Sequence, residues 1–373
     1  LTQLRRLSSR LAVAALFLAC PRSTESSFAQ SPAVPDRFEQ WLKAIEAHVP
    51  GDPGFVAVEV SGWTGPELDA VVADAKRHAR VLAKTDPERA NEILLRGAAL
   101  HSDIARLIPE DTVRRSAKQR TTYIVRDGRW IGVRYITIHW QLGRSLLDSV
   151  TPEPAAHPGV HAWYLETSED MAALRQFAAA IDHHVRARQL FPTDPAILFA
   201  SGVLHERFAS AGLQAAAVSV SESNRESAAI NSVRGELTRA ERFFRDTLAL
   251  RPDHVLARIR HGRVLDDLGR HDEAAGELRR AIADGASEAL LYLAQLFLGR
   301  AEDARGNLHA ARAAFERASA LYPDAQSPRL ALSQIARRVG DRAAAQQQLQ
   351  AIAKLPDDER RRKDPWWLYY DIR

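Results

Sequence analysis

His183 and His184 stand side by side directly after Asp182, and imidazoles next to a carboxylate are raw material for a metal site or a proton relay. Adjacent residues on a helix point about 100° apart, however, so the two rings cannot easily face one ion. The spacing instead puts His184 at a packing position and His183 on the surface. His157 and His161 are four apart, but Pro158-Gly159 lies between them and spoils helical geometry. His205-Glu206 comes nearest to a His-Glu-x-x-His zinc motif, yet Ala209 occupies the place of the second histidine. The chain has no Gly-rich loop ending in Gly-Lys-Ser/Thr and no Gly-x-Ser-x-Gly elbow. Asp111, Asp127, His139, Asp148 and His157 are polar enough for chemistry, but no spacing links them. The sequence therefore predicts no catalytic residue, no cofactor and no metal.

The elements around these residues are mostly helical. Leu68, Val71, Val72, Ala75, Ala79 and Leu82 follow a 3.6-residue period and predict a helix from Pro66 to about Lys84. Asp86-Pro87 restarts the chain, since Asp accepts orphan amide hydrogens and Pro at the first helical position loses only an N–H that had no partner. The next helix reaches about Leu107. Residues 121–138 break the rhythm. Thr121 to Val125 and Trp130 to Ile138 read as two strands around Asp127-Gly128, or as a loop packed by Tyr123, Trp130 and Tyr135. Trp140 to Val150 reads as a helix again.

From His161 onward, small residues, aromatics and prolines recur every 34 residues or so. Ala180, His184, Ala187 and Pro192 open the series, and Leu198, Gly202, Ala240, Phe244 and Pro252 form the second turn of it. Gly262, Leu265, Ala274, Leu278 and Ala281 are the third. Ala294, Phe297, Ala311, Phe315, Ala318 and Pro323 make the fourth, and Leu332, Ser333, Ala336, Gly340, Ala345, Leu349 and Ile352 the fifth. This frame resembles the tetratricopeptide repeat (TPR) family over residues 161–355. The resemblance implies an all-α fold, a right-handed α-solenoid of helix-turn-helix repeats, preceded by a small divergent section that includes the hairpin segment. Residues 211–233, rich in Ser, Ala and Asn, read as a flexible excursion inserted within the second repeat. Asp364-Pro365-Trp366-Trp367 begins a helix too short to stand alone, so its aromatics are expected to cover the open end of the array. That tail and His139 to Arg144 are similar to stretches of uncharacterised secreted bacterial TPR proteins, a likeness that supplies no activity.

The expected organisation is a signal peptide at 1–29, a linker with a short amphipathic segment at 30–65, the divergent module at 66–160, the array at 161–355, and a basic linker with the aromatic cap at 356–373. Arg5, Arg6 and Arg10 precede ten apolar residues, Leu11 to Cys20, and Ser27-Phe28-Ala29 places small residues at the cleavage positions. Ten apolar residues are too few to cross about 30 Å of hydrocarbon, so no transmembrane span is expected. Leu1 in place of Met reads as an alternative start codon or a shortened beginning. Phe17-Leu18-Ala19-Cys20 weakly resembles a lipoprotein box, and a lipid anchor at Cys20 is the rival to cleavage after Ala29. Residues 1–29 carry a net +3 of the chain's +4, which leaves +1 beyond them and removes the electrostatic case for nucleic acid.

Carried over from the family, the concave face would contain Phe199, Val203 and Arg207, then Ile259, Arg260 and Arg263, then Gln295, and finally Gln334, Arg337 and Arg338. An apolar floor edged by arginines suits another protein or an extended, acidic peptide. The function expected is therefore an exported, non-catalytic scaffold of the periplasm or cell envelope. The alternative is a ligand-binding or enzymatic module in 36–160 with the array as its partner-binding arm.

Overall fold

The computed structural model describes residues 65–107, 113–115, 122–126, 129–132, 134–173, 177–218, 223–355, 364–366 and 369. The leader, the linker, Cys20, Asp111, Asp127 and Arg360 to Lys363 lie outside the described residues.

Three helices make the first unit: α1 (Gly65–Leu82), α2 (Pro87–Leu107) and α3 (Arg134–Leu147). Asp86 starts α2 by accepting from the Arg89 amide at 3.0 Å. Leu94, Ala98, Leu142, Leu146 and Leu147 close a core that also takes Trp163 and Tyr164 from the next helix. Between α2 and α3 the chain forms three short antiparallel strands, β1 (Val113–Arg115), β2 (Thr122–Arg126) and β3 (Arg129–Gly132), in the order β1-β2-β3. Val125 pairs with Trp130 and Arg126 with Arg129, on either side of Asp127-Gly128. The second strand is shorter than the sequence predicts. Residues 135–138, expected to be strand, belong to α3, because their apolar residues serve a helical period as well as an alternating one and the helix continues into the buried Trp140, Leu142 and Leu146.

Five antiparallel helix pairs follow. They are α4 (Pro158–Ala173) with α5 (Phe177–Leu190), α6 (Pro195–Val218) with α7 (Ser223–Leu250), α8 (Val255–Asp267) with α9 (His271–Ala283), α10 (Glu288–Ala304) with α11 (Leu308–Leu321), and α12 (Gln326–Arg338) with α13 (Arg342–Ala353). Their ends are set by local chemistry. Asp194 accepts from the Ala196 and Ile197 amides, both at 2.9 Å, and Asp341 from Ala344 at 2.9 Å. The turns inside the last three pairs repeat one device, a left-handed glycine at Gly269, Gly306 and Gly340 with φ of 81°, 79° and 82°. In each, the next amide reaches back to a helix carbonyl: Arg270 to Leu265, Asn307 to Glu302, and Asp341 to Ala336.

One expectation needs correction here. Residues 211–233 are not a flexible excursion, since all but 219–222 continue α6 and α7 and so lengthen that pair. The Ala- and Leu-containing run after Ala211 has good helix propensity, and extending both helices leaves the frame on either side intact. α10 is also long, with 17 residues where α8 has 13.

Candidate partner-binding face

Within three of the pairs, a glycine on one helix faces a large side chain on its partner. A Cβ on Gly202 would fall 2.6 Å from the Phe244 ring, on Gly262 2.7 Å from Leu278 Cγ, and on Gly299 2.5 Å from the Phe315 ring. Three successive pairs thus make the same close approach, and α6, α8 and α10, which pack in sequence, share the face that meets the C-terminal tail, the inner face. The fold is a TPR-type α-solenoid.

Solved structures similar to the chain share part of its length. A MamA from Desulfovibrio magneticus RS-1 is 20% identical over 52% of this chain and 94% of its own, with a TM-score of 0.40. PilW, described as a widely conserved type IV pilus biogenesis factor, is 16% identical over 54% and 80%, with a TM-score of 0.42. YrrB, described as a TPR protein with an unusual peptide-binding site, is 16% identical over 53% and 87%, with a TM-score of 0.38. No protein-family model and no curated protein matches the chain.

At the centre of the inner face lies a buried charge network. Glu206 of α6, 1% exposed, accepts from Arg260 Nη1 at 2.8 Å and from Arg263 Nη1 at 3.1 Å, both on α8. Arg260 is 0% exposed, and such burial is tolerable for a guanidinium only when its donors are engaged. The C-terminal tail adds further partners. The Tyr369 hydroxyl donates to Glu206 Oε1 at 2.6 Å, while Arg260 Nη2 donates to the Tyr369 main-chain carbonyl at 2.8 Å. Both guanidinium carbons sit over the Tyr369 ring, at 4.3 and 4.4 Å from its centroid, and that of Arg263 also lies 4.8 Å from the Trp366 ring. Phe297 of α10 meets Trp366 and Tyr369 edge-on. Burial, and then the Glu206 carboxylate, push the Tyr369 hydroxyl far above its ordinary pKa, so it remains a neutral donor.

Asp364 anchors the start of the tail and is fully buried. Its carboxylate accepts from the Tyr292 hydroxyl at 2.5 Å, the Ser327 amide at 2.9 Å and the Trp366 amide at 3.0 Å. The sequence reading of this tail as a cover for the last repeat is wrong in place. It lies across α6, α8, α10 and the start of α12, while Leu349 on the last helix stays 46% exposed. The Glu-Arg-Arg cluster seats the tyrosine, and the Tyr292 hydroxyl with Ser327 seats the aspartate.

The sequence-nominated inner residues accordingly divide. Arg260 and Arg263 are sealed under the tail. Ile259 is buried in the core between pairs, and Gln295 is buried with its Oε1 left without a hydrogen-bond partner among the described residues. Phe199 and Val203 are half-buried in the α6/α7 cluster, with the Phe199 ring against His254 at 4.7 Å, and Arg207 is half-buried on α6. Gln334, Arg337 and Arg338 on α12 are exposed, and Arg338 pairs with Asp303 of α10. Tyr292, Ser327, Asp364, Trp366 and Tyr369 were not nominated for this face. The sequence marked Asp364-Pro365 only as a helix start, the signal used before α2 and α6, and the tail's aromatics only as a cover.

The histidines are structural. His183, expected on the surface, is 2% exposed between the Trp163 and Tyr164 rings, because α5 turns that face toward α4. His184 Nδ1 lies 3.0 Å from Ser201 Oγ, but that hydroxyl donates to the Ile197 carbonyl, accepts from Arg188 and is closed off from solvent. His157 Nδ1 accepts from the Gly159 amide, His161 Nε2 lies 3.1 Å from Asp194, and Asp148 pairs with Arg186. His139 falls within α3. Among the described residues no three His, Cys, Asp or Glu side chains gather as a metal site would need, and no helix is long and apolar enough to cross a membrane.

Proposed function

We propose that this chain is an exported scaffold of the periplasm or cell envelope that binds another protein through its concave face and performs no chemistry of its own. One observation carries the reading: the inner face already holds a polypeptide segment, gripping its main-chain carbonyl, its carboxylate and its aromatic rings with side chains from several repeats. Beyond the tail, the exposed Gln334 and Arg337 on α12 extend this surface with donors suited to carboxylates. The Arg-rich start and the apolar run before Cys20 support export.

The test is affinity capture of partners from the envelope fraction with the parent chain and with Gln334→Glu combined with Arg337→Glu. Both positions are exposed, so the variant should fold as the parent does. Retention of the captured protein should fall at least about tenfold if one partner carboxylate pair is lost. Equal retention by the two chains would refute the concave-face assignment.

A further inference from the structure

The tail makes contacts that belong to recognition more than to a helix seam. None of the three close glycine approaches that hold the pairs together involves residues 364–369. Glu206, Arg260, Tyr292 and Ser327 stand on four different helices, and each meets the tail through a polar atom. The tail brings one carboxylate, one main-chain carbonyl and two rings, and every one has its own seat. The described tail residues 365, 366 and 369 are in 3₁₀ conformation, which is marginal by itself in water, so the segment owes its shape to the face that receives it.

Resting on the scaffold reading above, we propose that the inner face is a peptide site for segments with the chemistry of Asp364 to Tyr369, and that the tail is its tethered occupant. The ligand is an acid followed by Pro and an aromatic, with a tyrosine five residues after the acid. Its tyrosine must be neutral and unmodified, because its hydroxyl donates to the buried Glu206 carboxylate. A partner presenting such a segment displaces the tail. Until it does, tethering holds the tail near the site at an effective concentration on the order of millimolar, which keeps weaker peptides out.

The experiment uses the full chain with a site-specific protease sequence inserted between Pro356 and Asp364. The probe is a fluorescein-labelled synthetic peptide with the sequence of residues 363–373. Before cleavage the probe should bind weakly. After cleavage, and removal of the released fragment by dialysis, it should bind about tenfold more tightly or better. A probe with Asn for the acid and Phe for the tyrosine at the positions of 364 and 369 should lose that gain. The cleaved chain should stay monomeric with unchanged circular dichroism. The proposal is overturned if the cut fragment never exchanges with the probe, if the chain unfolds once the fragment leaves, or if cleavage yields a dimer in which tails are traded between copies. Partner capture that still depends on Arg337 in a chain failing these tests would leave the scaffold reading standing and reduce the tail to a fixed plug.

Discussion

Within the helix pairs, a glycine meets a ring or a leucine; on the inner face, a glutamate meets two arginines and a tyrosine. The partners in the first kind of contact lie within one repeat, such as Gly262 with Leu278 and Gly299 with Phe315. The partners in the second lie far apart, with 54 residues between Glu206 and Arg260 and 163 between Glu206 and Tyr369. Seams depend on shape and tolerate no added volume. The inner face depends on charge balance and tolerates no lost partner. The two regions should therefore fail in different ways.

The largest effect is expected on the inner face. Glu206→Gln removes the buried carboxylate that Arg260 and Arg263 share, while the Tyr369 hydroxyl can still find an acceptor. Removing one member of a buried ionic cluster typically costs about 3–5 kcal/mol, and urea unfolding should show a loss of that order. A loss below about 1 kcal/mol would mean that the arginines reach water more easily than their burial implies.

Next comes the seam. Gly262→Leu drives a side chain into Leu278 Cγ at 2.7 Å and toward the Ala274 carbonyl at 3.3 Å, and overpacking of this kind costs about 1–3 kcal/mol. Gly276 on α9 is the control, because a Cβ there meets nothing within 4 Å. Gly276→Ala should leave the fold intact and raise stability by up to about 1 kcal/mol through helix propensity alone. Thermal melts of the two variants should move in opposite directions. A parallel shift would show that volume at the seam is not the governing variable.

This contrast also explains what could be read from the chain beforehand. A seam contact recurs with the repeat, so Ala274, Leu278, Ala311 and Phe315 announce themselves by spacing, and all are buried as expected. The turn glycine Gly340 is legible for the same reason. The inner network is not periodic: Arg260 and Arg263 were nominated as ligand-facing, but nothing local to them tells that Glu206 pairs with both. The tail was legible as aromatic and helix-starting, yet its destination depends on a charge cluster assembled from two separate repeats. His183 shows a similar failure, since an imidazole beside an aspartate reads as surface until Trp163 and Tyr164 are known to cover it.

His183 offers the last and mildest way to separate the regions, because it is a titratable group buried in a seam with no counter-charge. Burial, reinforced by the Arg144 charge, holds its pKa down to about 3, although the Tyr164 backbone acts in the other direction. In the unfolded chain it titrates near 6.5. The folded state thus keeps the ring neutral, and this contribution is complete above about pH 6.5 and drains away as pH falls toward about 3. Between pH 7 and pH 5 the loss from this one group is about 2 kcal/mol. Urea midpoints of the parent at the two pH values should differ accordingly, and the difference should shrink by about that amount in His183→Gln. His184, held down first by burial and then by His183, leaves a residual slope in the variant. If parent and variant lose the same stability on acidification, the acid sensitivity resides elsewhere, and the inner-face carboxylates become the groups to test.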